Sequence, residues 1–240
     1  MAKDVNGRPN RPIGSIWNMR GWRIRLWLAP ALVILTLGAP PRSVEAQTGT
    51  VAGTVTLEQA QVRRRTAGRY PGQAAGAPEI QRIPVVAYVV GRVGNATFSS
   101  ASALMVQRDT AFAPSALTIP VGGTVEFPND DEFFHNVFSY SSAHRFDLGR
   151  YPRGESKSEQ FQEPGIVEVF CEVHDKMRGV IVVTENPFHA IVGEDGSFRI
   201  VGLPPGDHVV AFWSADHRPA QQTVTVRAGS TTTVEVELSR

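Results

Sequence analysis

The sequence predicts an all-β protein made of two small sandwiches. Its apolar runs are short, β-branched and alternating rather than spaced for one face of a helix. Gly and Pro, at 22 and 17 of 240 residues, fall between those runs and punctuate them as turns. No long stretch carries helical periodicity.

Residues 1–46 are set apart from the fold as a signal peptide. Lys3, Arg8, Arg11, Arg20, Arg23 and Arg25 form a basic leader. Leu26 to Ala39 is an apolar run of export-signal length, short for a membrane span. Val44-Glu45-Ala46 offers small residues for cleavage before Gln47, and Met19 is an alternative start. The leader predicts a periplasmic or secreted location, with no membrane span after cleavage. Without it the chain keeps 17 basic and 21 acidic residues, a formal net charge of −4, which does not favour nucleic acid. About 194 residues remain, enough for two small cores.

Along the mature chain, Thr50 to Leu57 alternates and reads as a strand. Glu58 to Pro84, with Arg63-Arg64-Arg65 and many Ala, Gly and Pro, reads as a mobile loop. Val85 to Val90 is a second strand. Gly165 to Cys171 alternates again, placing Val167, Val169 and Cys171 on one face and Glu168 on the other. Val180 to Val183 begins a new strand after a tight turn. Beyond Glu185 four alternating strands follow, at Ser197–Ile200, Val209–Trp213, Thr223–Val226 and Thr233–Leu238. Asp195-Gly196 and Pro204-Pro205-Gly206-Asp207 supply turns between them.

The chemistry is concentrated in the middle. Cys171 is the only cysteine, followed at fixed steps by His174 and Met177. A second histidine, His135, lies upstream, where Phe133, Phe134, Val137 and Phe138 make its strand apolar, as expected beside a water-excluding metal pocket. One thiolate, two imidazoles and one thioether are the ligand set of a mononuclear blue-copper site, His2Cys in a trigonal plane and Met as weak axial ligand. Soft sulfur stabilises Cu(I) and imidazole suits both oxidation states. An exported protein with one cysteine cannot form an internal disulfide, and copper ligation accounts for the unpaired thiol. A cysteine nucleophile is disfavoured, because Cys171 faces inward and no third residue orients a base. A binuclear purple-copper centre needs two bridging cysteines. His144, His189, His208 and His217 have no comparable setting.

From about Val106 to Val183 the chain resembles a cupredoxin, of the plastocyanin and amicyanin type. The matching residues are Phe112, Pro114, Gly122, Val125 and Phe127, then His135-Asn136-Val137, then Phe161, Pro164-Gly165 and Cys171-x-x-His174-x-x-Met177-x-Gly179. The resemblance implies a Greek-key β-sandwich over residues 100–184. It also implies His135, Cys171, His174 and Met177 as ligands of one copper ion, with Asn136 steadying the ligand loop. It departs from the family in charge: small electron carriers usually surround the exposed histidine with apolar residues, whereas Glu172, Asp175 and Lys176 flank His174 here. Residues 185–240 are similar to the second half of a carboxypeptidase regulatory-like or transthyretin-like sandwich, in which an Asp-Gly-x-Phe-x-Ile strand and a Leu-Pro-Pro-Gly turn recur. Gly49-Thr50-Val51-Ala52-Gly53-Thr54-Val55 has the form of that domain's first strand. Residues 48–93 and 185–240 are therefore expected to make one sandwich with the cupredoxin inserted, since neither half alone buries a good core.

The function expected is periplasmic electron transfer by a type 1 copper ion, without catalysis. Cupredoxin-like proteins with such a C-terminal sandwich include some labelled methylamine-utilisation proteins, and a cytochrome or dehydrogenase is the redox partner that resemblance implies. The alternatives are copper capture and delivery, which needs metal release instead of fast cycling, and an interaction module whose copper site is vestigial.

Overall fold

The computed structural model describes residues 47–58 and 82–240, and every regular element among them is a strand. The leader and the arginine-containing loop expected from the sequence lie outside the described residues. No helix among the described residues is long and apolar enough to cross a membrane. Two strands come first, β1 (Gly49–Leu57) and β2 (Val86–Val89). Next are β3 (Ser102–Leu104), β4 (Val106–Arg108), β5 (Ala111–Ala113), β6 (Ala116–Pro120) and β7 (Gly123–Pro128). β8 (His135–Ser139), β9 (Phe146–Tyr151), β10 (Ser156–Phe161), β11 (Gly165–Phe170) and β12 (Arg178–Thr184) follow. The chain ends with β13 (His189–Ile191), β14 (Ser197–Leu203), β15 (Gly206–Trp213), β16 (Ala220–Val226) and β17 (Thr231–Leu238).

β3 to β12 build an inner sandwich. One sheet runs β10-β7-β3, the other β6-β12-β11-β8-β9, and β4 and β5 form a separate hairpin. β12 pairs antiparallel with β11 and parallel with β6, so neighbours in this sheet are not all neighbours in sequence. Phe112, Val125, Phe127, Val137, Tyr151, Phe161, Val167 and Val169 fill its core together with Cys171 and Met177.

The remaining strands make two outer sheets, β14-β1-β17 and β13-β2-β15-β16. β1 lies between β14 and β17, antiparallel to the first and parallel to the second. Its glycine is a packing requirement: a Cβ on Gly53 would stand 1.7 Å from the Val234 carbonyl oxygen, so the β17 backbone fits only against a bare Cα. Val51, Ala87, Val89, Phe198, Ile200, Leu203, Val210 and Phe212 lie in this second core.

A third cluster joins the two sandwiches. Val86, Ala116, Val180, Val182 and Trp213 pack together, with Tyr88 and Ile166 at the edge. The strand period of two explains how one strand serves two cores. On β12, Ile181 and Val183 point into the inner sandwich, while Val180 and Val182 point at β2 and β15. The strand is buried on both faces, so it reads as a continuous β-branched run instead of an alternation.

Candidate metal centre

The site forms where β8 and the turn between β11 and β12 meet. His135 opens β8 and is fully buried. Cys171 follows the last residue of β11 on its buried side, 3 % exposed, continuing the inward series of Val167 and Val169. The chain then reverses. The Met177 N–H donates to the His174 carbonyl at 3.0 Å and the Cys171 N–H to the Met177 carbonyl at 3.2 Å. This turn carries Cys171, His174 and Met177 before β12 begins.

His135 Nδ1 is 3.5 Å from Cys171 Sγ and 3.2 Å from His174 Nδ1. One donor atom from each of His135, Cys171 and His174 lies within 4.8 Å of the others. Metal–nitrogen bonds of about 2.0–2.1 Å and metal–sulfur bonds of about 2.3 Å, the scale known for zinc, make such spacings the edges of a triangle around one ion. The donor set therefore fits a copper ion: two nitrogens and a thiol sulfur converge in a pocket closed on its inner side by apolar residues. Met177 is 1 % exposed and belongs to the same core cluster as Cys171. His174 is half-buried and sits at the rim.

Two asparagines and an aspartate hold these parts. The buried Asn136 accepts the Glu172 N–H on Oδ1 at 2.7 Å, tying the histidine strand to the cysteine turn. Asn129, fully buried, donates Nδ2 to the Phe133 and Tyr151 carbonyls at 2.8 and 3.0 Å, which fixes the approach to His135. Asp131, unremarked in the sequence, takes His135 Nε2 at 2.8 Å on Oδ2. Burial opposes its ionisation, but hydrogen bonds from the Thr110 N–H, His135 and the Asp109 N–H outweigh it and hold the carboxyl below its usual range. The sequence signal was an acidic residue four positions before the histidine, inside an Asn-Asp-Asp-Glu run that looks like any polar turn. Opposite His135 in the β8–β9 ladder is Tyr151, whose O–H donates to the Phe127 carbonyl at 2.8 Å. Burial pushes this phenol well above its ordinary range, so it stays a neutral part of the core.

One expectation is corrected. Phe133 and Phe134 are not part of the His135 strand: β8 begins at His135, and the two rings before it are 58 % and 57 % exposed. The strand starts only at His135, so its pairing does not carry the preceding aromatics inward. Phe133 instead meets the His174 ring edge-on, with centroids 6.0 Å apart. Val137 is buried and Phe138 half-buried, as the apolar run requires. Glu172 and Asp175 are exposed, and Glu172 pairs with Arg150 at 3.1 Å. The other histidines lie elsewhere: His144 bonds Glu159, His189 stacks on Phe98, His208 bonds the Pro204 carbonyl and His217 the Ser214 hydroxyl.

Residues 101–184 match the family model of copper binding proteins, plastocyanin/azurin family, and residues 177–239 match the carboxypeptidase regulatory-like domain. The second match starts at Met177, although the strand pairing places β12 in the inner sandwich. Among solved structures, a purple cupredoxin from Nitrosopumilus maritimus is 26 % identical, over 34 % of this chain and 99 % of its own, with a TM-score of 0.32. A reduced amicyanin variant is 22 % identical over 40 % of this chain and 97 % of its own, TM-score 0.33. A Cu-containing nitrite reductase from Thermus scotoductus SA-01 is 28 % identical over 40 % of this chain and 25 % of its own, TM-score 0.34. No curated protein gives a significant match. The family matches identify residues 101–184 as a plastocyanin/azurin-type copper-binding domain and residues 177–239 as a carboxypeptidase regulatory-like domain.

Proposed function

We propose that the chain is a periplasmic type 1 copper protein carrying single electrons between redox partners. The observation that carries this reading is the convergence of His135, Cys171 and His174 donor atoms within 4.8 Å. Copper supplies a one-electron couple, Cu(I)/Cu(II), that a His2Cys site with a weak axial thioether sustains.

The residues divide the work. His135 and Cys171 would hold the ion from inside, on a strand and a strand end whose packing leaves them little freedom. Met177 would supply the thioether. His174, half-buried at the rim, would be the ligand nearest solvent, where a one-electron couple could be reached by a partner. The exposed Phe133 beside it, with Val173 at 41 % exposure, gives a partner an apolar landing place. Glu172, Asp175 and Lys176 at the rim act on the rate of encounter. The partner is a cytochrome or a dehydrogenase, and no substrate reaction is required of this chain. Residues 1–46 direct export and are removed. Residues 48–93 and 185–240 act as one sandwich into which the copper domain is inserted, a reading supported by β1 pairing with both β14 and β17.

The test compares two rates on the copper-loaded protein: electron exchange with a small cytochrome, and loss of Cu(I) to a chelator. Exchange far faster than release is expected. Release on the timescale of exchange would instead make this a copper capture and delivery protein.

A further inference from the structure

The inner end of the site is held by a carboxylate. Asp131 Oδ2 is 2.8 Å from His135 Nε2, and the side chain is only 11 % exposed. Its position is built from three directions. The Asp131 N–H donates to Asn129 Oδ1 at 2.9 Å, and Asn129 is itself fully buried and bonded. Asp131 Oδ1 accepts the Asp109 N–H at 2.7 Å, and Oδ2 accepts the Thr110 N–H at 2.8 Å. Asp109 and Thr110 have φ of 55° and 56°, a left-handed conformation unfavourable for side chains other than glycine. The turn between β4 and β5 thus presents two adjacent N–H groups to this carboxylate.

We propose that Asp131 is a positioning residue for the metal: it fixes His135 in the tautomer that presents Nδ1 to copper, and it favours Cu(II) over Cu(I). The inference rests on the reading of His135, Cys171 and His174 as copper ligands. Both carboxylate oxygens already accept N–H groups, so the third contact is also an acceptance and the hydrogen belongs to His135 Nε2. Nδ1 is then left with its lone pair, 3.5 Å from Cys171 Sγ and 3.2 Å from His174 Nδ1. A carboxylate behind a ligating imidazole fixes the ring and raises its basicity. Its negative charge, one ring away from the ion, stabilises the more positive oxidation state.

The test uses the full chain with Asp131→Asn, Asp131→Ala and Asp131→Glu, and Thr110→Gly as a control that relieves the turn without touching the histidine. Cu(II) affinity by competition, the reduction potential and the His135 ring nitrogen shifts of the metal-free protein are measured. Asp131→Ala and Asp131→Asn are expected to lower Cu(II) affinity about 10–100-fold, to lower Cu(I) affinity less, and so to raise the potential. The metal-free wild type is expected to hold His135 as the Nε2–H tautomer, and both variants to lose that preference. Asp131→Glu is expected to recover part of each value, and Thr110→Gly to keep all of them. Wild-type affinity, potential and tautomer in folded Asp131→Asn would overturn the inference whether or not Asp131→Ala folds. A wild type that binds no copper would end the copper reading, while the metal-free tautomer would still decide the role of Asp131 at His135.

Discussion

Replacing Asn136 with alanine should loosen the site without touching a metal donor. The amide is 2 % exposed and its Oδ1 accepts the Glu172 N–H at 2.7 Å. That bond ties the strand bearing His135 to the backbone of the turn bearing Cys171, His174 and Met177. A typical intramolecular hydrogen bond contributes about 0.5–1.5 kcal/mol net, and stranding a buried partner costs about 1–3 kcal/mol. Glu172 lies at the exposed edge of the turn, so water reaches its freed N–H and the lower end applies. The expected loss in the metal-free protein is about 1–2 kcal/mol, a clear shift of the urea midpoint. The second effect is on copper. With the tie gone, binding must order the turn, and affinity should fall by about tenfold for each 1.4 kcal/mol that ordering costs. Urea unfolding of the metal-free protein and copper dissociation into excess chelator measure the two effects separately. An Asn136→Ala protein with an unchanged midpoint and an unchanged dissociation rate would refute the reasoning.

Three further outcomes are expected. Met177→Leu should keep copper and colour but raise the reduction potential, because losing the axial donor favours Cu(I); loss of the metal in that variant would show that Met177 is not a weak axial ligand. Trp213→Ala should cost about 3–5 kcal/mol, because Trp213 is 8 % exposed in the cluster joining the two sandwiches; its unfolding should split into two transitions by calorimetry, and one unshifted transition would remove the cluster's role. Arg178 forks onto Asp216 at 3.2 and 2.8 Å, and its hydrogen bond holds the Asp216 carboxyl below its ordinary range, with Arg240 and His217 acting in the same direction and Glu168 also facing it. That contribution is complete above the ordinary carboxylate value and is lost as pH falls through the lower folded value, so Asp216→Asn should flatten stability against pH below about 4; identical acid limbs would contradict this.

The turn between β11 and β12 was legible in the sequence because its information is local. Cys171, His174 and Met177 lie in one turn, and the alternation of Val167 and Val169 already gives the direction of Cys171. The late strands were legible for the same reason, and Gly53 stood in the first-strand pattern before its packing against β17 gave the reason for it. Other features depend on partners distant in the chain. β13 is three residues long and half-buried, too short to show a period, and it exists because β2 offers it an edge. The inward face of β12 looked like one core strand, yet Val180 and Val182 serve a second cluster that only the three-dimensional arrangement creates. Phe133 and Phe134 were read into the His135 strand because hydrophobicity was extended past the strand's start. Asp131 was missed because its meaning comes from a hairpin more than twenty residues upstream.

The central claim, that His135, Cys171 and His174 bind one type 1 copper ion, is tested most directly by a visible spectrum of the purified protein titrated with Cu(II). An intense blue or green band from thiolate-to-copper charge transfer is expected. It should saturate at one equivalent and vanish in Cys171→Ser while the fold remains. A colourless wild-type protein with weak copper affinity would contradict the account.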